Sequence, residues 1–353
     1  MIDDKIIQDW LQNGTIMSKE DGSFLIGWGN REWLSEPKDH TYLPCFYFPD
    51  FFLKEATPWF VHEHSVEVGL SELLGLLTPA AKPRLSDYSW KNPYQQLFRL
   101  TFDELLCKFK QKEMEKAVPF VMESTFETMT QEQLVSSLVN ILNYSKENPV
   151  YLYGYWDEHD GILGATPELL FRYADGMNLE TMACAGTMGL QKNSAAFLSD
   201  PKELHEHRLV VQSITESLSS FGNVSVGPLQ LLKLPQLIHL VTPIKLQMQQ
   251  SQSFETLTYA LHPTSAVGAF PRTEGMCWLN EYHKLIDRRR FGAPVGYLWK
   301  NNANCYVGIR NVQWSESEMM IGAGCGLVSE SHYEMEWSEI LLKLQAIKEM
   351  LAL

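Results

Sequence analysis

At 353 residues, with 45% hydrophobic and 12% aromatic content, the chain can form one large domain or two ordinary ones around a sizeable core. Its formal charge of -14 argues against nucleic acid or an anionic membrane as the main partner. An anionic small substrate stays open, because a local pocket of Arg, Lys and metal overrides the mean field. The six cysteines (Cys45, Cys107, Cys184, Cys277, Cys305 and Cys325) show no C-x-x-C spacing, which points to free thiols in a reducing cytoplasm. No apolar run has the length of a membrane span, and MIDDKIIQDW does not read as a signal peptide.

From Met1 to about Lys91 the pattern predicts short strands and turns. GSFLIGWGNREWL alternates around glycines as a hairpin does. His62 and His64 flank Glu63, but no third ligand is near, so they read as surface histidines. The polar stretch Lys82 to Tyr94 reads as an exposed connection inside one domain of residues 1–353. FDELLCKFKQKEMEKA then predicts a helix, with Lys116 where it gives way to the strand AVPFVMES. A lysine in that place is ordinarily solvent-facing. A second helix follows from the Thr-x-x-Gln start at Thr130. Strands PVYLYGYW, ELLFRY and LETMACAGT come next, with Asp160-Gly161 as the turn between the first two. Glu168, after Pro167 at the head of an apolar strand, is awkwardly placed unless it has a partner or a role.

Asp200 to Leu218 opens with an N-cap and a first-turn proline, and its apolar residues share one helical face. Short strands NVSVGPLQLLKL and LIHLVTPIKLQM follow, then the loop LHPTSAVGAFPR and the helix WLNEYHKLIDRRR. The last strands lie in PVGYLWKNNANCYVGIRNVQW and EMMIGAGCGLVSE, ahead of a terminal helix. Strands arrive in runs between groups of helices, which favours an α+β protein with antiparallel sheets. Glu203 and Glu206 stand three apart on one predicted helix, and Glu336 and Glu339 do so on the last. Two such pairs could hold one hard cation through oxygens, with Mg²⁺ the natural candidate. Two solvated helix faces are the bland alternative.

AGT at 185–187, DPKELHEH at 200–207, HLVTPI at 239–244, LHPTSAVGAFP at 261–271, VGYLW with VGIR at 295–310, GAGCGLV at 322–328 and EWSEILLKL at 336–344 occur in one order. This series resembles the chorismate-utilising enzymes: isochorismate and salicylate synthases, and the large subunits of anthranilate and aminodeoxychorismate synthases. The resemblance covers Lys116 to the C-terminus, with residues 1–91 a variable part of the same fold. It implies an anthranilate synthase component I-like fold, two packed antiparallel β-sheets with helices outside. It implies a Mg²⁺ site with Glu206 and Glu339 as direct ligands and Glu203 and Glu336 ligating directly or through water. Arg310 and Tyr297 would grip the enolpyruvyl carboxylate of chorismate, helped by backbone N–H groups of Gly322 and Gly324. Lys343 resembles the pocket lysine; His262 would line the far side of the ring and Thr187 the side of the attacking group, with packing the alternative for both.

Members sharing this pattern add a nucleophile at ring C2 as the C4 hydroxyl leaves. Lys116 stands where water-using members carry a general base, and Glu168 resembles the general acid. Burial would lower the pKa of the first and raise that of the second. The expected activity is that of a cytoplasmic isochorismate synthase serving menaquinone or siderophore biosynthesis. The alternatives are salicylate synthase, or an ammonia-using large subunit that needs a glutamine amidotransferase partner. The chain departs from the pattern in lacking an arginine just after AGT, in the longer GAGCGLVSES and in AVPFV after Lys116.

Overall fold

A computed structural model describes residues 2–38, 42–81, 88–91, 94–190 and 197–353. The chain starts with a helix, α1 (Asp4–Gln12), where strands and turns are expected. Asp3 nucleates it by accepting the Ile6 amide at 2.9 Å, and Ile7, Trp10 and Leu11 fill its inner face. Then come β1 (Gly14–Ser18), β2 (Phe24–Leu34), β3 (Cys45–Tyr47), β4 (Trp59–Val68), α2 (Leu70–Leu77) and α3 (Gln95–Lys110). They are followed by β5 (Lys116–Ala117), β6 (Phe120–Thr125), α4 (Gln131–Glu147), β7 (Tyr151–Trp156), β8 (Asp160–Thr166), β9 (Leu169–Tyr173) and β10 (Asn178–Gly189). The remainder is α5 (Pro201–Leu218), β11 (Gly222–Val226), β12 (Gln230–Lys233), β13 (Leu237–Met248), α6 (Phe254–Leu261), β14 (Ala269–Phe270) and α7 (Arg272–His283). It ends with β15 (Pro294–Trp299), β16 (Asn302–Val307), β17 (Asn311–Ser315), β18 (Met319–Gly324) and α8 (Tyr333–Leu351).

The α+β class with antiparallel strands holds. Hydrogen bonding, however, joins the two expected sheets into one 16-stranded ladder, β11-β13-β10-β9-β16-β15-β3-β4-β2-β1-β7-β8-β17-β18-β6, with β12 also on β13. Two packed layers arise because this ladder curls back on itself. Tyr306 of β16 donates to the carbonyl of Ser18 beside β1 at 2.7 Å, and its ring stacks on Tyr151 of β7 at 4.5 Å. The interior between the layers is aromatic, with Phe46, Phe48, Phe60, Tyr153, Tyr155 and Tyr297 in one buried cluster. β1 to β4 thus lie mid-ladder, bonded to β15 on one side and β7 on the other. No disulfide joins any of the six cysteines, and no described helix is long and apolar enough to cross a membrane.

Several local expectations shift. GSFLIGWGNREWL is one bulged strand rather than a hairpin, since Gly29 takes φ +83 and the register with β4 slips between Trp28 and Arg31. The β7–β8 turn lies at residues 157–159, where the Asp157 carboxylate accepts the amides of His159 and Asp160 at 2.8 and 3.1 Å. Helix α3 ends at Lys110, well before Lys116, and α7 stops at His283, leaving the arginines outside it. His62 is buried, its ring held between Thr15 Oγ1 at 2.7 Å and the Gly29 carbonyl at 3.2 Å, whereas His64 is exposed. Of the connection Lys82 to Tyr94, residues 82–87 and 92–93 lie outside the described residues.

The two helices that carry the glutamate pairs are anchored at their ends. Asp200 caps α5 by accepting the amides of Lys202 and Glu203 at 3.0 and 3.2 Å. On α8 the last carbonyls are taken up by α4: Ser137 Oγ donates to Leu351 O at 2.6 Å and Gln133 Nε2 to Ala352 O at 3.0 Å. Asp200→Ala should therefore cost about 1 kcal/mol of stability, whereas Asp200→Asn, which keeps the acceptor, should lose only a few tenths. Urea unfolding of the three proteins measures the difference.

Candidate active site

One cavity collects most of the candidate residues. Its walls include Glu168, Thr187, Glu206, His239, Arg310, Gly322, Gly324, Glu339 and Lys343, and the space inside it that water-sized groups can occupy is about 70 Å³. The walls come from α5, α8, β10, β13 and β18, with the segment between β8 and β9.

Glutamates and lysines alternate in space here. Lys202 Nζ reaches Glu203 Oε1 at 3.0 Å, Glu206 Oε2 at 3.3 Å and, across on α8, Glu336 Oε1 at 2.9 Å. Lys343 Nζ pairs with Glu339 Oε1 at 2.6 Å and donates to the carbonyl of Gly324 at 2.7 Å. Lys116 Nζ lies 3.4 Å from Glu206 Oε1, directly behind the cavity wall, and donates to the carbonyl of Ser265 at 2.7 Å. Lys116 is fixed there because β5 pairs with β14, Lys116 opposite Phe270.

Burial dominates the proton equilibria. It lowers the pKa of Lys116 below the usual lysine range, against the pull of Glu206 and with help from Lys202 and Lys343. Burial pushes Glu168 up to about 8, partly offset by Lys116 and Lys343 and by a hydrogen bond from Thr264. Burial and then the charge of Glu206 push Glu203 up to about 8. Glu336 rises to about 7 through burial, offset by Lys202 and reinforced by Glu339 and Glu206. Burial alone would raise Glu206 as well, but Lys202, Lys116 and Lys343 outweigh it and hold it ionised. Lys202 moves the opposite way to Lys116, since four glutamates overcome its desolvation and raise it.

The donor set suits a hard divalent cation, with oxygen ligands from two facing helices. Glu336 Oε2 is buried without a hydrogen-bond partner, the mark of a carboxylate short of positive charge. Among the described residues no three such groups are already gathered as a ligand cage, because the carboxylates turn toward lysines instead. The residues fit the cation by chemistry; their present arrangement is organised around ammonium groups.

Two expected residues are elsewhere. Tyr297 lies on the inward face of β15, where its hydroxyl accepts from Asn304 Nδ2 at 2.8 Å, and it borders a separate, open depression beside Arg172. Alternation along β15 gives it to the aromatic interior rather than to Arg310. His262 is buried with Nε2 2.7 Å from the Phe51 carbonyl and its ring against Phe51 at 4.8 Å, outside the cavity walls. Its imidazole is satisfied by packing and a backbone bond.

His239 went unnoticed in the sequence and sits where Tyr297 was expected. Arg310 NH2 donates to its Nε2 at 3.3 Å, so the neutral ring carries its proton on Nδ1, 3.1 Å from Thr187 Oγ1. Burial, then Arg310, keeps its pKa well below the usual histidine range. Thr187 in turn donates its amide to Glu203 Oε2 at 2.9 Å, tying Arg310 through His239 to the glutamates. Lys202 and Arg288 were also missed. Arg288 lines the cavity with its guanidinium 3.4 Å from the Phe51 ring, although the DRRR run reads as a solvated helix end. Only HLVTPI, singled out as a block, held a signal for His239. The stretch after AGT carries no arginine, and its residues 191–196 lie outside the described residues.

Residues 75–352 match the family described as chorismate binding enzyme. The chain belongs to that family. Among curated relatives, a "salicylate biosynthesis isochorismate synthase" of Pseudomonas aeruginosa is 36% identical over 200 residues, 54% of this chain and 42% of that protein. Isochorismate synthase EntC of Escherichia coli is 30% identical over 260 residues, 70% of this chain and 66% of that protein. The matched stretch therefore spans between two fifths and two thirds of these relatives' length. The solved structure of MenF, the menaquinone-specific isochorismate synthase from Escherichia coli, superposes with a TM-score of 0.78 at 19% identity, over 97% of this chain and 90% of MenF. That likeness carries the chorismate-binding fold.

Glu168 makes the stability of this chorismate-binding enzyme depend on pH. Its carboxyl ionises near 4.5 in the unfolded chain and near 8 in the folded one. The folded state holds the extra proton between those values, so the contribution is full below the unfolded pKa and is lost as pH rises through about 8. Glu168→Gln cannot ionise. Its melting temperature relative to wild type should be higher at pH 9 than at pH 5, as thermal unfolding at the two pH values will show.

Proposed function

We propose that the chain is an isochorismate synthase, interconverting chorismate and isochorismate by adding water at ring C2 as the C4 hydroxyl departs. One observation carries the reading: a buried glutamic acid of raised pKa lines the cavity, and a buried lysine of lowered pKa lies behind its wall, 3.4 Å from Glu206. A base must be neutral and an acid protonated at the same pH, and only opposite shifts achieve that. The family and the names of the relatives, several of them isochorismate synthases, support the same choice.

In this reading Lys116 accepts the proton of the incoming water. The Ser265 carbonyl holds its Nζ in direction, and the strand pairing of β5 holds its backbone. Glu168 donates its proton to the leaving C4 hydroxyl and becomes the carboxylate that serves as base in reverse. Arg310 binds the enolpyruvyl carboxylate, with His239 steering the guanidinium and Lys343 adding positive charge. Gly322 and Gly324 form the strand wall beside it, and Thr187 faces the ring from β10. Glu206 and Glu339, with Glu203 and Glu336 behind, would hold Mg²⁺. That cation supplies the charge that binds and neutralises the ring carboxylate. Cysteines without disulfides fit a cytoplasmic enzyme. An ammonia-using activity, with its amidotransferase partner, is the second reading, since anthranilate synthase component 1 is also among the similar proteins; a lysine at the expected base position favours water.

Chorismate with Mg²⁺ in ammonia-free buffer should yield isochorismate, and isochorismate should return chorismate, both read by chromatography. No product without ammonium would overturn the reading. Lys116→Ala should bind chorismate but lose turnover, and Glu168→Gln should slow both directions by a similar factor of about 10²–10⁴. The forward rate should fall as pH rises through about 8, where Glu168 loses its proton, and fall again on the acid side, where Lys116 gains one.

A further inference from the structure

Lys202 has a placement that helix chemistry does not explain. It is in the first turn of α5, where a positive charge opposes the helix dipole. Its ammonium has three donors, and three carboxylates from two helices surround it at 2.9 to 3.3 Å. Lys116 and Lys343 each also hold a backbone carbonyl, Ser265 and Gly324, which would keep them in place if the glutamates turned away. Among the described residues, the Nζ partners of Lys202 are carboxylates alone. Its side chain keeps 16% of its surface exposed, so it has a way out toward solvent.

We propose that Lys202 is a built-in counter-cation that gathers the glutamates of α5 and α8 and must swing out before a divalent ion is coordinated. The proposal rests on the metal site proposed above. The ammonium and the metal ion compete for the same three carboxylates, so metal binding includes the cost of releasing Lys202. Apparent affinity is the intrinsic affinity multiplied by the fraction of protein in the lysine-out state. Lys202 is a positioning residue here: it acts through the carboxylates and keeps like charges assembled on two helices until the ion replaces it.

Titration calorimetry of Mg²⁺ into metal-stripped wild type, Lys202→Met and Glu206→Gln tests this without turnover. Lys202→Met should bind Mg²⁺ at least about tenfold tighter than wild type, melt at a lower temperature when metal-free, and gain more on adding Mg²⁺. Glu206→Gln should lose binding. If Lys202→Met binds no tighter than wild type while Glu206→Gln still abolishes binding, the metal site stands and the role of Lys202 falls. If wild type and Lys202→Met both fail to bind, the metal site and this proposal fall together. A second measurement needs no variant. Amine labelling of Lys202 in wild type, followed by mass spectrometry, should rise several-fold when Mg²⁺ is added, and unchanged labelling would overturn the exchange.

Discussion

Four glutamates from two helices share one buried space, and that crowding is the constraint on which the site depends. Bringing ionised carboxylates out of water is costly, and each raises the cost of the next. Three lysines make it possible, and each takes a different share. Lys202 bridges α5 and α8, Lys343 neutralises Glu339 within α8, and Lys116 reaches Glu206 from β5. Even so the balance is incomplete: Glu203 and Glu336 are pushed up to about 8 and about 7, mainly by burial. A site left short of positive charge in this way is primed for a cation and for an anionic ligand that brings one.

The same burial drives Glu168 and Lys116 toward the protonation states that the proposed acid and base need. Lys116 and Glu168 are both fully enclosed, so each is driven toward its neutral form, the amine by a lowered pKa and the acid by a raised one. No special donor or acceptor is needed to reach opposite protonation roles. What is needed is a scaffold rigid enough to keep both dry. The curled ladder provides it, holding β5 against β14 on one side and seating Glu168 between β8 and β9, where its carbonyl accepts the amide of Val307 at 3.1 Å.

Legibility followed locality. The caps at Asp200 and Thr130 and the i,i+3 glutamate pairs are statements about one turn of helix, and they were readable. Glu168 was readable as a residue out of place at the head of an apolar strand, whereas Lys116 read as solvent-facing until the resemblance set it at the base position. The resemblance paired Tyr297 with Arg310, but strand alternation sends Tyr297 into the aromatic interior. Lys202 looked like any solvated lysine in a first turn, since nothing local reveals that Glu336, more than a hundred residues away, will come within 2.9 Å. Contacts across the curl of the ladder, such as Tyr306 with Ser18, are equally invisible to periodicity.

The glycines show most clearly how a motif can be right for a reason other than the one first assigned to it. Gly322 and Gly324 were expected to admit an anion, but a Cβ there would first meet protein, Met122 Sδ at 2.6 Å and the Pro119 carbonyl at 2.8 Å. The glycine that clears the site is Gly326, where a Cβ would fall 1.9 Å from Glu206 Oε1 and 2.7 Å from Lys116 Nζ. On the facing strand Gly186 takes φ +80 at a bulge in β10, and a Cβ there would sit 3.2 Å from Glu203 Oε2. The bulge also turns the Thr187 amide toward that carboxylate. Glu203 and Glu206 of α5 therefore each rest against a backbone without a side chain. AGT and GAGCG, far apart in sequence, serve one geometric end: they let a helix bearing two glutamates approach the strands closely enough for the lysines to reach it.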